Sequence, residues 1–278
     1  MSNKIALVTG ASSGIGESTA RHLHDAGFVV YGAARRVDRM ASLAAAGVRT
    51  VALDVTDESS AEKAVADILA AHDRIDVLVN NAGYGSYGAL EDVPMSEARS
   101  QIEVNLFGLA HLTRAVLPAM RAQRSGTIVN ISSMGGRLAT PLGAWYHASK
   151  FAVEGLSDAL RLELRRFGID VVVIEPGVIR TEWGGIAARK VRATSGDGPY
   201  SDQAEAMAVS LDNASRPGAP RTSPPDVVAR AVTRAATARR PRTRYTAGFG
   251  ARPILLVRRI LPDRAFDAFI TRTASLLT

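Results

Sequence analysis

Thr9-Gly10-Ala11-Ser12-Ser13-Gly14-Ile15-Gly16 runs straight on from the apolar stretch Ile5–Val8 and leads into Ile15–Ala26, a segment with helical periodicity. Glycines at such a junction permit a tight turn and let an anionic ligand approach bare backbone N–H groups. The N-terminus of the following helix adds unpaired donors and a partial positive charge. A cluster of glycines says little by itself. Between a buried strand and a helix, Gly10, Ser12, Ser13, Gly14, Ile15 and Gly16 have the context that holding a diphosphate requires. The first two glycines are separated by three residues, not by the single residue of the usual dinucleotide fingerprint.

Further along the chain, short runs rich in Val, Ile and Leu recur at Phe28–Tyr31, Thr50–Leu53, Val77–Val79, Thr127–Ile131 and Val171–Ile174. Continuous apolar runs of this length suit strands buried on both faces, as in a parallel sheet. Between them Asp38–Ala46, Ser59–His72, Ser96–Gln123 and Trp145–Phe167 have helical periodicity. The alternation predicts an α/β fold: a Rossmann-type, doubly wound parallel sheet of about seven strands in a single domain. Right-handed crossovers then place a ligand crevice at the carboxyl ends of the strands.

The pattern changes after Pro176. Thr181–Pro225 is rich in Gly, Pro, Ser and Ala, with weak periodicity. It is too long for an ordinary connection and reads as a lid over a substrate, with Ala193–Tyr200 disordered. Asp226–Ala238 reads as a helix capped by Asp226, Arg244–Thr246 as a last strand, and Pro253–Leu277 as two helical pieces broken at Pro262. The domain is therefore expected to span residues 1–250, with residues 251–278 as a C-terminal helical extension packed on or beside it.

Composition narrows the classes. The 278 residues are 46% hydrophobic and 22% charged, which fits a globular core rather than disorder. There is no cysteine, so disulfides, thiolate metal sites and cysteine nucleophiles are excluded, and a cytoplasmic location is expected. No apolar run approaches the roughly 18 residues of a membrane span. Met1 leads into an apolar strand with neither a basic flank nor a small-residue cleavage site, so no signal peptide is expected. No His, Asp and Glu set has metal-ligand spacing, so no metal is expected. The net charge of +7 is uneven: residues from Arg221 onward carry +9 and the remainder −2. A basic tail suits either a nucleic acid or an anionic membrane surface. A solvated basic face is the plainer reading, since no zinc finger or RNA-binding aromatic motif accompanies the charge.

Tyr146-His147-Ala148-Ser149-Lys150 lies in a predicted helix, so Tyr146 and Lys150, four residues apart, project from one face. Free tyrosine titrates near pH 10, too high for easy proton exchange at neutrality, and a nearby ammonium favours the phenolate. Past the second strand come Ala34-Arg35-Arg36. An NAD site places an acid there for the ribose 2′-hydroxyl. Arginines instead favour a 2′-phosphate, through charge-assisted hydrogen bonds.

The wide glycine spacing resembles the short-chain dehydrogenase/reductase family. Asn80-Asn81-Ala82-Gly83 after the fourth strand is similar to that family's Asn-Asn-Ala-Gly motif, and Pro176-Gly177 to its Pro-Gly motif. The match runs in order over roughly residues 4–180. The resemblance implies a catalytic set of Asn105, Ser133, Tyr146 and Lys150, with Ser132 as the alternative serine. It also implies cofactor contacts from the glycine turn, Arg35, Arg36, Asp54, Val55, Asn81, Ala82, Gly83, Tyr146, Lys150, Pro176, Gly177, Ile179 and Thr181. In that scheme Arg35 and Ser13 grip the 2′-phosphate and Asp54 accepts from adenine, although Asp54 equally suits the start of a turn before Thr56–Asp57. Asn105 would hold a water linking Lys150 to solvent.

The expected function is an NADP(H)-dependent oxidoreductase that interconverts a secondary alcohol and a ketone or aldehyde, with Tyr146 as general acid/base. A non-catalytic NADP(H)-binding regulatory protein is the alternative. The expected partners are a small apolar carbonyl or alcohol substrate and further copies of the chain, with no nucleic acid. Peripheral membrane contact through Pro253–Leu277 is left open. His111 and His147 read as structural. Met134, Leu138, Trp145, Tyr84, Tyr87 and Trp183 either line a substrate pocket or pack the lid.

Overall fold

Ile5–Thr9 forms β1, and each of its residues is buried. Ile5 and Leu7 enter one apolar core while Ala6 and Val8 enter another, so the run is apolar throughout instead of alternating. In the computed structural model, which describes residues 4–275, β1 lies inside a seven-stranded sheet. The other strands are β2 (Val29–Ala34), β3 (Arg49–Ala52), β4 (Val77–Asn80), β5 (Gly126–Ile131), β6 (Ile169–Pro176) and β7 (Arg244–Ala247). All pairings are parallel, in the order β3-β2-β1-β4-β5-β6-β7.

Helices cover both faces. On one, α1 (Gly14–Asp25), α2 (Ala41–Ala45) and α9 (Asp226–Thr237) bury Leu23, Leu43 and Val232. On the other, α3 (Glu58–His72), α5 (Gly108–Gln123) and α6 (Ala144–Leu164) bury Ile68, Leu112 and Leu164. The chain order reverses between β1 and β4, so their carboxyl ends open onto a crevice. Among the described residues, no helix is long and apolar enough to cross a membrane.

Several expectations need correction. Ala193–Tyr200 is not disordered: α7 (Glu182–Ser195) reaches into it and α8 (Ser201–Ser215) follows closely. These helices pack through Ala187, Ala188, Val191, Ala204 and Ala208, all at 0% exposure. Small residues permit close approach but leave a weak hydropathy pattern. Ser96–Gln123 is not one regular helix. After α4 (Met95–Ile102) the chain makes a π-helical turn at Glu103–Phe107 before α5. Asp38–Ala46 is a 3-10 turn at Val37–Met40 followed by the single-turn α2. Asp226 is not the cap of α9, which is Pro225. It lies in the first turn and accepts a hydrogen bond from Ser18 Oγ (2.7 Å), tying α9 to α1. Towards the C-terminus, α10 (Ala251–Ile260) and α11 (Asp263–Ser275) flank Pro262.

A buried polar network fixes two of these helices to the sheet. Asn80 Nδ2 on β4 donates to Thr113 Oγ1 on α5 (3.1 Å) and to Asn130 Oδ1 on β5 (2.9 Å). Asn130 Nδ2 in turn donates to Ser157 Oγ on α6 (2.9 Å). Asn130 is fully buried, so its removal leaves an Asn80 N–H and the accepting Ser157 hydroxyl oxygen without those partners where water cannot reach. Asn130→Ala is expected to lower stability by about 2 kcal/mol. The check is thermal and denaturant unfolding of the variant against the parent, with Asp67→Ala on the exposed side of α3 as a near-neutral control.

Candidate active site

The turn after β1 is laced to the one after β4. Thr9 Oγ1 accepts from the backbone N–H groups of Asn81 and Ala82, both at 3.0 Å, and donates to Val79 O. Asn81 Nδ2 returns to Thr9 O at 2.9 Å and to Gly10 O at 3.3 Å. Gly10 sits at φ +66°, the left-handed region that glycine adopts without strain. At Gly16 a Cβ would lie 2.2 Å from the Gly10 carbonyl oxygen, so only glycine lets the first turn of α1 close on the loop. Thr9 is the positioning residue that motif reading passed over. Its signal is a hydroxyl at the last position of a strand beside a strand reversal.

A cleft of about 1230 Å³ opens at these strand ends. Its wall includes Gly10, Ser12, Ser13, Gly14 and Ile15 from the first turn, Asp54 and Val55 from the turn after β3, and Asn81, Ala82 and Gly83 from the turn after β4. Pro176, Gly177, Ile179 and Thr181 close the far side. Gly16 lies behind this wall and shapes it without lining it. The Ser13 side chain makes no capping hydrogen bond to α1 although Ser13 is the N-cap residue, which leaves its hydroxyl to the cleft. Arg35 and Arg36 stand exposed on the rim, beside the buried Ala34. Asp54 plays the turn role as well as lining the cleft: Oδ1 accepts from Thr56 N (3.0 Å) and Thr56 Oγ1 (2.8 Å).

Ser133, Tyr146 and Lys150 meet at the inner end of the cleft. Strand β5 delivers Ile131-Ser132-Ser133, and α6 delivers Tyr146 and Lys150 one turn apart. Ser133 Oγ accepts from Gly135 N at 3.0 Å, which fixes its rotamer. Burial pushes the Tyr146 phenol above its ordinary pKa, while a hydrogen bond with Ser133 works the other way. Lys150 Nζ donates to Ile131 O at 2.9 Å. Burial lowers the pKa of Lys150 to about 8, and the Glu154 carboxylate opposes that shift.

Asn105 is 2% exposed and sits behind this group, in the π-helical turn. Its Oδ1 accepts from Tyr84 N, and Nδ2 donates to Tyr84 O and Ser149 Oγ, each at 3.0 Å. His147 is a buried latch: its ring nitrogens meet Gly135 O at 2.9 Å and Thr140 N at 3.0 Å, holding the loop before α6. His111 meets Val55 O at 3.2 Å.

Met134, Leu138, Tyr84, Tyr87 and Trp183 also line the cleft, whereas Trp145 does not. The Tyr87 ring lies 5.6 Å from that of Tyr146 and 6.0 Å from that of Trp183, and Trp183 is 5.3 Å from Tyr146. Tyr87 and Trp183 therefore both line the cleft and pack α7. Helix α7 is also tied by ion pairs, from Glu182 to Arg39 (3.2 Å) and from Lys190 to Glu97 on α4.

A family model described as short chain dehydrogenase matches residues 4–190. The 3-ketodihydrosphingosine reductase of Bacteroides thetaiotaomicron is 45% identical over 181 residues, an alignment covering 65% of this chain and 66% of that one. The NADPH-dependent 3-dehydrocapnine reductase of Ornithobacterium rhinotracheale is 34% identical over 287 residues, with 99% of both chains covered. A solved short-chain dehydrogenase from Streptomyces avermitilis superposes with a TM-score of 0.81 at 35% identity, over 99% of this chain and 97% of that one. With its glycine turn, seven-stranded parallel sheet and helix-borne tyrosine and lysine, the chain is an oxidoreductase and belongs to the short-chain dehydrogenase family.

Proposed function

We propose that this protein is an NADP(H)-dependent reductase that converts a ketone on an apolar substrate into a secondary alcohol, and runs the reverse oxidation. The observation that carries the reading is the position of Tyr146. It is a buried phenol kept protonated at neutral pH, in contact with a serine hydroxyl and one helical turn from a lysine, at the wall of a nucleotide-sized cleft. A protonated phenol is a proton donor, which is what carbonyl reduction needs. Bound nicotinamide supplies the hydride. Ser133 donates a hydrogen bond to the carbonyl oxygen and stabilises the charge that develops there. Tyr146 delivers the proton to that oxygen. Lys150 holds the nicotinamide ribose and favours the phenolate left behind. Asn105 props the Tyr84 backbone and the Ser149 hydroxyl, which keeps the α6 turn of Tyr146 in place.

The choice of NADP over NAD rests on Arg35 and Arg36 at the cleft rim and on a small alanine in place of an acid at position 34. Ser13, with its hydroxyl uncommitted to capping, joins Arg35 at the 2′-phosphate. The dependence of the Ornithobacterium relative on NADPH supports the same choice. The apolar side chains around Trp183 and Leu138 favour a substrate with a hydrocarbon body. 3-Ketodihydrosphingosine and 3-dehydrocapnine, which the names of two relatives specify, are the first ketones to test. Self-association belongs to the same reading, since Phe107 and Phe151, beside the catalytic helices, are 49% and 47% exposed.

Two measurements test this. Tyr146→Phe is expected to bind NADPH within about twofold of the parent while kcat for ketone reduction falls about a hundredfold or more. Substantial remaining turnover, followed by nicotinamide absorbance, would refute the acid/base role. Arg35→Ala is expected to weaken the preference for NADPH over NADH by about tenfold to a hundredfold, the loss of one or two charge-assisted hydrogen bonds. A parent enzyme that prefers NADH in kcat/KM would overturn the cofactor assignment.

A further inference from the structure

Tyr146, Lys150 and Glu154 follow one another at steps of four residues, so they form a single stripe along α6. Glu154 is 5% exposed. Its Oε2 accepts from Arg244 Nε on β7 at 3.0 Å, while Oε1 is buried with no hydrogen-bond partner among the described residues. Ser132 Oγ is a second buried atom in that condition. The two side chains converge at Gly136: the point where a Cβ would stand there is 2.6 Å from Ser132 Oγ, 3.0 Å from Glu154 Cγ and 3.0 Å from Lys150 O. The end of β5 is thus divided. Ser133 and Ser132 both line the cleft, the Ile131 carbonyl holds Lys150, and the buried Ser132 Oγ lies on the side of Glu154.

Other charges surround Glu154. Glu175 on β6 and Asp158 on α6 are the acids; Arg137 and Arg244 are the cations, lying 4.0 Å and 3.0 Å from Glu154. Glu175 lies 3.8 Å from Arg137 and 3.5 Å from Arg244. Burial, and then the charge of Glu154, push the Glu175 carboxyl up. Glu154 is also the charged side chain that bears on the buried Lys150 ammonium.

We propose that Glu154 is a positioning residue for the reaction: its carboxylate, seated one turn beyond Lys150 on the same face of α6, keeps that buried ammonium charged and sets the alkaline limit of catalysis. This rests on the reading of Lys150 as a catalytic group. An ammonium in a low-dielectric wall sheds its proton early unless an opposite charge compensates. Lys150 titrates near pH 8 even with Glu154 in place. The charged form therefore dominates below that pH and is lost as pH rises through it. Removing the Glu154 charge takes stabilisation away from the ammonium alone, so the loss moves towards neutrality. The cost is selective: ketone reduction near pH 6.5 is little changed, and reduction near pH 8.5 falls.

The experiment is the pH profile of kcat for ketone reduction, together with that of the NADPH Kd, for the parent, Glu154→Gln, Glu154→Asp and Glu175→Gln. Glu154→Gln is expected to move the alkaline limb down by about one pH unit, the scale of a single partly buried charge contact. The limb of the NADPH Kd should move with it. Glu154→Asp keeps the charge and should restore most of the limb. Glu175→Gln changes the same acid cluster and should leave the limb in place. A loss of kcat by one factor at every pH in Glu154→Gln, or an unmoved limb, overturns the proposal. If Glu154→Gln does not fold, Glu154→Asp is decisive through the smaller displacement that withdrawing the carboxylate by one methylene produces, and no displacement there overturns it. Lys150→Met separates the two readings: surviving turnover would dismiss Lys150 as a catalytic group and the proposal with it, whereas normal loss with an unmoved Glu154→Gln limb dismisses the proposal alone.

Discussion

Between β1 and β4 the connections of the sheet diverge, and the two strands end side by side with nothing crossing over them. The gap would leave backbone groups of both turns without partners. Thr9 and Asn81 resolve this by spending a hydroxyl and a side-chain amide on the backbone of the opposite turn. With those groups satisfied, the glycine turn can present its own N–H groups outward into the cleft. The parallel register carries the same order to β5 and β6, so Ile131-Ser132-Ser133 and Pro176-Gly177 arrive at the same level. The cleft is a consequence of strand order, and the chemistry is set by what each strand end offers to it.

Burial then acts on the two titrating groups of that cleft in a related way. It favours the neutral form of each: the phenol keeps its proton, and the ammonium of Lys150 drifts towards losing one. In the proposed reduction, the first effect prepares Tyr146 to donate. The second would work against the site if nothing opposed it, because a neutral amine does not favour a phenolate. The groups that counter burial are Ser133 at the phenol and Glu154 at the amine. One comes from the end of β5 and the other from the next turn of α6, so the balance depends on the seating of α6 against the sheet. The Asn80–Asn130–Ser157 chain fixes that seating.

The inner strands were legible because they are buried on both sides, which writes a continuous apolar run into the chain. The glycine turn and the tyrosine–lysine pair were legible because their spacing is local. What escaped was non-local or low in contrast. The π-helical turn at Glu103–Phe107 differs from a regular helix by where hydrogen bonds fall, not by residue type, yet it seats Asn105. Helices α7 and α8 meet through alanines, which show little periodicity while packing tightly. Asp226 has the composition of a cap and serves as a cross-helix acceptor for Ser18, a partner 208 positions away. The charge count also does not show that Arg244, half-buried, is drawn onto Glu154 and Asp158.

The same apolar cluster that encloses the substrate end of the cleft also holds the tyrosine. Tyr146 packs with Tyr87, Leu142 and the alanines of α7 and α8, and Trp183 leans on it from the first turn of α7. The ion pairs that fasten α7 are partly exposed, and each is worth no more than about 1 kcal/mol. The position of α7 is therefore governed by its packing, including its packing on Tyr146. A substitution that reshapes this wall for a different substrate also changes what supports the phenol. Trp183 is constrained from both sides, while Ile186, which lines the cleft outside the cluster around Tyr146, is freer to vary. Substrate range in this fold can shift at low cost only where the wall and the tyrosine's support are different atoms.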